Sequence, residues 1–340
     1  MQVSIRPWSR FLPKGPASHE THYLSARDGV RLAVHRVRPP GAVAGPPVML
    51  LHGLGANSHG WLMPQRSLAH WLAERGWDVF VPELRGAGES GAAGGRWDLD
   101  DYLDADLPAI LDAVRDASGQ SEVSWVGHSM GGLLLCCYAM RRPDHGIARG
   151  VCVGSALDYT VGRSGFARLL PLRPLLARLG RVPFGLTAHL VSPLLGRVRS
   201  PLEAFNFHHA NVEPEVIRQI HAHAFGWIPV SLLLSLATTF EPGGLRSRDG
   251  KMRYLECATE CRLPLLLLSG SADVQCPPEA VEETARRIGG NARVLHLGRA
   301  HGTQEEYGHF DLLVGRHAPE EVWPRIAAFL EGRDAVRPSR

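Results

Sequence analysis

The sequence predicts an α/β fold: a mostly parallel, doubly wound sheet with an antiparallel N-terminal edge and an inserted helical lid. Three observations carry this reading. From residue 47 onward, short apolar runs alternate with stretches of helical period, the pattern of parallel strands covered on both faces. An alternating hairpin precedes them. A Leu-, Pro- and Arg-rich interruption spans residues 156–255 before the alternation resumes.

Residues 20–38 read as the hairpin, because Val30, Leu32 and Val34 alternate with Arg31, Ala33 and His35, and Arg27-Asp28-Gly29 supplies a turn. Pro47-Val-Met-Leu-Leu51 suits a strand buried on both faces. Leu68, Trp71 and Leu72 follow at helical spacing and stop at Gly76, and Val79-Phe-Val81 is the next buried strand. Leu99, Leu103, Leu107, Ile110, Leu111 and Val114 mark an amphipathic helix expected to bend or start near Pro108. Residues 123–126 then form a strand, 130–141 a helix and 150–153 a further strand. Beyond the interruption come the strand 265–268, the helix 279–288, the strand 293–295 and a last helix marked by Val322, Ile326, Phe329 and Leu330. The expected organisation is a core in two pieces, 20–155 and 256–333, with 156–255 inserted between them as a helical cap.

Composition limits the partners. The chain is 44% hydrophobic and 21% charged with a net charge of +3, ordinary for a globular enzyme, and no basic run is interleaved with aromatics, so nucleic-acid binding gains no support. Lysine occurs only at Lys14 and Lys251, a skew toward arginine that fits a GC-rich bacterial genome. The first 20 residues lack the continuous apolar core of a signal peptide, and no run approaches the ~20 apolar residues that span a bilayer. Six cysteines (Cys136, Cys137, Cys152, Cys257, Cys261, Cys276) show neither disulfide-scaffold nor zinc-site spacing and read as structural thiols. A cytoplasmic setting is expected.

Chemistry concentrates at a few motifs. Gly127-His128-Ser129-Met130-Gly131 lies between a strand and a helix, where a G-x-S-x-G sequence forces a tight turn that lifts the serine above the sheet. Its glycines are required because a Cβ there would meet a neighbouring element. Leu50-Leu51-His52-Gly53-Leu54-Gly55 follows a buried strand. A serine esterase needs fixed backbone donors for the oxyanion, and Leu54 and Met130 are the natural pair. Pro82-Glu83-Leu84-Arg85-Gly86-Ala87-Gly88-Glu89-Ser90 lacks the longer glycine pattern of a dinucleotide site, so Arg85 and Ser90 read as ties for a loop.

In chain order the acid should follow the serine, on the loop after a later strand, which selects Asp273, with Asp158 one strand earlier as competitor. The base should lie after the last strand, which leaves His301, His309 and His317. His301 follows that strand too closely to reach the serine, and His309, in Tyr307-Gly308-His309-Phe310-Asp311, precedes the final helix by a suitable stretch.

The runs LLHGLG, ELRGAGES, GHSMGG, GSADVQCPP and YGHFDLL together resemble the α/β-hydrolase superfamily, over nearly the whole chain outside residues 156–255. The tail Gly308-His-Phe-Asp-Leu-Leu-Val-Gly315 is similar to that of acid lipases and polyhydroxyalkanoate synthases in particular. The synthases carry cysteine at the elbow, so Ser129 points to hydrolysis over polymerisation, and it excludes the aspartate-nucleophile chemistry of dehalogenases and epoxide hydrolases. Many relatives have Asp at the position of Glu83, which is given no role.

The expected function is hydrolysis of a carboxylic ester with an apolar or lipid-like acyl group, through Ser129, His309 and Asp273, with no metal or organic cofactor. Thioester hydrolysis or acyl transfer uses the same three residues. A non-catalytic binding protein is the contrasting class, opposed by the intact set of three. The insertion, apolar from Phe166 to Val198 and studded with arginines from Arg168 to Arg199, cannot form its own core and must cover a site mouth, a partner subunit or a lipid surface.

Overall fold

The computed structural model describes residues 2–4, 16–43, 45–92, 94–197 and 200–333, the first of these segments as backbone only. Lys14, Val198, Arg199 and most of the N-terminal segment read above lie outside them. In chain order the strands are β1 (Gln2–Ser4), β2 (Ser18–Ser25), β3 (Arg31–Arg38), β4 (Val48–Leu51), β5 (Val79–Glu83), β6 (Val123–His128), β7 (Ile147–Val153), β8 (Arg181–Val182), β9 (Ile228–Pro229), β10 (Leu265–Gly270) and β11 (Ala292–Leu297). Among the described residues nine of them form one sheet, in the order β1-β2-β3-β5-β4-β6-β7-β10-β11. Pairings from β1 to β5 are antiparallel, and those from β5 to β11 are parallel. This is the doubly wound sheet with an antiparallel N-terminal edge that the sequence predicts.

The two faces of the sheet can be read residue by residue. Met49 and Leu51 enter one apolar core and Val48 and Leu50 the other; Leu265 and Leu267 divide from Leu266 and Leu268 in the same way. Every residue of β4, β6 and β10 is buried, which is why β4 and the first four residues of β10 appear in the sequence as unbroken apolar runs, whereas β6 also buries Ser124 and His128. The helices Leu107–Ser118, Met130–Arg141 and Pro278–Ile288 contribute to the first core, and Leu68–Ala73 and Trp323–Leu330 to the second.

The bend expected near Pro108 is a widened turn over Tyr102–Asp106, where the Leu107 amide donates to the Tyr102 carbonyl five residues back. Proline at 108 has no N–H and its ring crowds the carbonyl four residues before it, so the wider turn relieves both constraints. That turn carries Asp106 inward. Arg85 donates to Asp106 through its backbone N–H, Nε and Nη2 and reaches Asp28 in the β2–β3 turn, while Ser90 donates to the Glu83 carbonyl and accepts from the Ala33 amide. The loop after β5 is thus tied to the edge hairpin and to the helix beyond it.

β7 begins three residues before the expected start. Arg149 and Gly150 interrupt its apolar pattern, and the side chains of Leu265 and Leu135 pack where a Cβ on Gly150 would stand. Between β7 and β10 the chain forms short helices, among them Gly165–Leu172, Arg173–Leu176, Phe184–Val191, Pro201–Asn206, Pro214–His223 and Val230–Leu236. The two-residue pairing of β8 with β9 within this segment is too short to leave a pattern in the sequence.

Asp106 is fully buried whereas Asp28 is 43% exposed in its side chain. Asp106→Ala should therefore lower unfolding free energy by about 3–5 kcal/mol, by stranding the Arg85 charge, and Asp28→Ala by no more than about 1 kcal/mol. Urea unfolding of the two variants checks the ranking.

Candidate active site

Ser129 sits between β6 and the helix Met130–Arg141 with φ 53° and ψ −120°, the one non-glycine residue with positive φ among the described residues. Such a conformation is strained, on the order of 1–3 kcal/mol. The surrounding packing enforces it. A Cβ on Gly127 would come within 2.3 Å of the Gly131 carbonyl, and one on Gly131 within 2.4 Å of the Leu51 carbonyl oxygen. Only glycines let β6, β4 and the helix approach this closely, and the turn between them has no relaxed alternative. The Ser129 amide donates to Val153 at the end of β7, and Ser155 Oγ donates to the Ser129 carbonyl.

Asp273 lies on the loop after β10 and His309 beyond β11. His309 Nδ1 is 2.7 Å from Asp273 Oδ2, and both side chains are buried. The other oxygen of Asp273, Oδ1, accepts from the backbone amides of Gln275 and Cys276, each at 2.9 Å, so the carboxylate is held at both ends. Asp158 is also buried, but its Oδ1 accepts from the amide and hydroxyl of Thr160, closing a local turn. His301 is exposed beside His296, and His317 precedes the short helix Ala318–Glu321. Ser129, His309, Leu54 and Met130 all line one cavity of about 360 Å³.

Four supports of this geometry escape a sequence reading. His128 Nε2 is 3.2 Å from the His309 carbonyl oxygen, and burial, reinforced by His309, holds the His128 pKa far below the usual histidine range. It stays neutral and donates from Nε2. Glu83 accepts from the amide and hydroxyl of Ser58 and from the Glu89 amide, while His52 Nε2 accepts from the Leu84 amide. Together they pin both ends of the loop that carries Leu54. Asn206, from the inserted segment, accepts from Gln275 Nε2 through its side chain and from the Phe310 amide through its carbonyl. It thereby joins the loop of Asp273 to the loop of His309. Asp311 is fully buried and accepts from the Gly308 and His208 amides through Oδ2. Several of these partners lie far apart in sequence: 69 residues for Gln275 and Asn206, 103 for His208 and Asp311, and 181 for His128 and His309. No spacing rule finds them. Among the described residues no group of three His, Cys, Asp or Glu is arranged to hold a metal ion.

Burial pushes the Asp311 carboxyl up to about 8. An unfolded aspartate titrates near ~3.9, so the native state keeps a proton that the unfolded chain releases, and stability falls as pH rises between those values. Asp311→Asn stays neutral and can still accept both amides. Its thermal midpoint should lose less than that of the wild type between about pH 5 and about pH 8, as calorimetry at the two pH values would read.

Comparison with known proteins agrees with this architecture. Residues 46–173 match the family model described as the alpha/beta hydrolase fold. The human protein Lipase member K is 23% identical over 92% of this chain and 88% of its own length. A Poly(3-hydroxyalkanoate) polymerase subunit from Haloferax mediterranei is 24% identical over 80% of this chain, which spans 56% of that relative's length. Among solved structures, an esterase from Exiguobacterium antarcticum superposes with a TM-score of 0.61 at 17% identity, covering 91% of this chain and 98% of that one. At these identities the structural match speaks for the fold, and the family model and relatives in sequence for the kind of hydrolase. The chain has the α/β-hydrolase fold and is lipase- and esterase-like in what it resembles.

Proposed function

We propose that the protein hydrolyses carboxylic esters with an apolar acyl chain, with Ser129 as nucleophile, His309 as base and Asp273 as its orienting acid. One observation carries this reading: the cavity that Ser129 and His309 line is otherwise lined chiefly by leucines, phenylalanines and other apolar side chains, Leu133, Phe166, Leu176, Phe225 and Leu233 among them. An acyl chain seated there leaves water, each methylene contributing up to ~0.8 kcal/mol, while its carbonyl is presented to Ser129.

In this mechanism His309 takes the Ser129 proton as the oxygen attacks the ester carbonyl. Asp273, fixed by two amides on its far oxygen, keeps the Nδ1 proton in place and stabilises the imidazolium. The backbone amides of Leu54 and Met130 receive the oxyanion. The alcohol leaves with the proton from His309. Water, deprotonated by His309, then attacks the acyl-serine and releases the acid. Residues 156–255 act as a cap that completes the acyl pocket over a core made of 20–155 and 256–333, and Asn206 makes the cap part of the catalytic frame.

A fluorophosphonate should label Ser129, and Ser129→Ala should abolish labelling and lower kcat by about a millionfold. His309→Ala should be comparably damaging, whereas His301→Ala should stay within about tenfold of wild type, ~1.4 kcal/mol in barrier. Asp273→Asn should cost far more rate than Asp158→Asn; the reverse order would move the acid one strand back. Full turnover by Ser129→Ala would end the proposal.

Nitrophenyl esters from acetate to octanoate, run beside the matching thioesters, test the substrate class. kcat/KM should rise with chain length, by up to about fourfold per methylene. A flat profile would remove the apolar-acyl reading, and a consistent preference for thioesters would replace it with the second use of the same three residues. Glu83→Ala should lower kcat by about tenfold to a hundredfold with little change in KM, because it loosens the loop that presents the Leu54 amide. Steady-state kinetics on one soluble ester separate the two parameters.

A further inference from the structure

The stretch from Gly165 to Gly180 has no buried residue, although it is leucine-rich throughout. One side of it walls the cavity and the other faces solvent. Leu169 and Leu172 do both: they line the cavity and remain 50% and 47% exposed, so the cavity opens among them. Leu175, Leu179, Leu190 and Leu194 take no part in the cavity and are half to two-thirds exposed. Exposed apolar surface collected in one segment marks a surface meant to be covered.

The charge pattern says by what. The 44 residues between Asp158 and Glu203 hold seven arginines and no carboxylate, in a chain where 34 of 340 residues are acidic. Arg168 and Arg178 are exposed and have no ion-pair partner among the described residues. A second copy of the chain would set this basic face against itself with no acid to balance it. An anionic lipid surface balances it, since leucines enter the acyl boundary while arginines stay at headgroup level.

We propose that this face of the insertion docks on a lipid bilayer containing anionic headgroups, and that acyl chains pass from the bilayer into the cavity past Leu169 and Leu172 without crossing water. The docking stands by itself, and the delivery of substrate rests on the ester hydrolysis proposed above. The segment lies on the surface only; among the described residues no helix is long and apolar enough to cross a membrane.

Binding is tested with the Ser129→Ala protein, so that no lipid is consumed, by co-sedimentation with phosphatidylcholine vesicles with and without phosphatidylglycerol. The protein should sediment with the anionic vesicles, far less with phosphatidylcholine alone, and be released by salt. Arg168→Glu with Arg178→Glu, and separately Leu175→Glu with Leu179→Glu, should each weaken binding by at least about tenfold. Both pairs, in the background with Ser129 intact, should hydrolyse a short soluble ester as the parent does, which shows that they fold. Three results would overturn the docking: no sedimentation with anionic vesicles, equal sedimentation with neutral ones, or binding indifferent to both pairs. So would a dimer, seen by light scattering, that Leu175→Glu dissolves. Binding without hydrolysis of any ester by the parent would leave the docking intact and remove the ester reading.

Discussion

The close approach of three backbones at Gly127, Gly131 and Leu51 is the constraint on which the rest of this molecule depends. β4, β6 and the helix after Ser129 meet at distances that exclude any Cβ, and the price of that contact is one serine in a strained conformation. Strain of this kind persists only where the surroundings leave the chain no other path. Here the surroundings are the two apolar cores themselves: β4 and β6 are buried along their whole length, so the turn cannot relax without moving the centre of the sheet. The rigidity of the core is thereby transmitted to a single side chain at its edge.

A second layer of order is electrostatic. Three buried histidines, His52, His128 and His309, lie in one neighbourhood. Burial holds His52 and His128 below the usual histidine range, and each uses a ring nitrogen to fix a backbone group. His309 alone of the three faces a carboxylate at hydrogen-bond distance. Three chemically identical side chains within one neighbourhood are therefore separated into two structural props and one group with a partner for its proton. Environment makes the distinction, as it does wherever titratable groups of one kind take different roles.

Much of this was legible in the sequence because its causes are local. The hairpin, the buried strands and the G-x-S-x-G turn each declare themselves within about twenty residues, through alternation, short apolar runs and obligatory glycines. The order of elements then narrows the acid to Asp273 or Asp158 and the base to three histidines. What stayed hidden depends on contacts between distant segments. Glu83 looks like an unremarked polar residue at a strand end, and only the fold shows that Ser58 and Glu89 donate to it. Asn206 sits in a segment with no regular pattern, yet it bridges two loops from the far end of the chain. The two-residue ribbon of β8 and β9 has no period because it is too short to have one.

The pairing of β7 with β10 joins Gly150 to Leu265, across the entire insertion. The entropy of closing so long a loop grows only with the logarithm of its length, about 0.6 kcal/mol for each doubling. The sheet is therefore nearly indifferent to how many residues lie between these strands, provided both edges find each other. What the segment must preserve is its buried apolar side chains, such as Phe207, Val216 and Ile220 in one core and Leu232 and Leu245 in the other, together with polar ties that include an acceptor at Asn206 and a backbone donor at His208. A different helical segment would fit the same sheet only if it kept those ties and buried a matching apolar face, so the length of the part that shapes the cavity is freer than its inner surface.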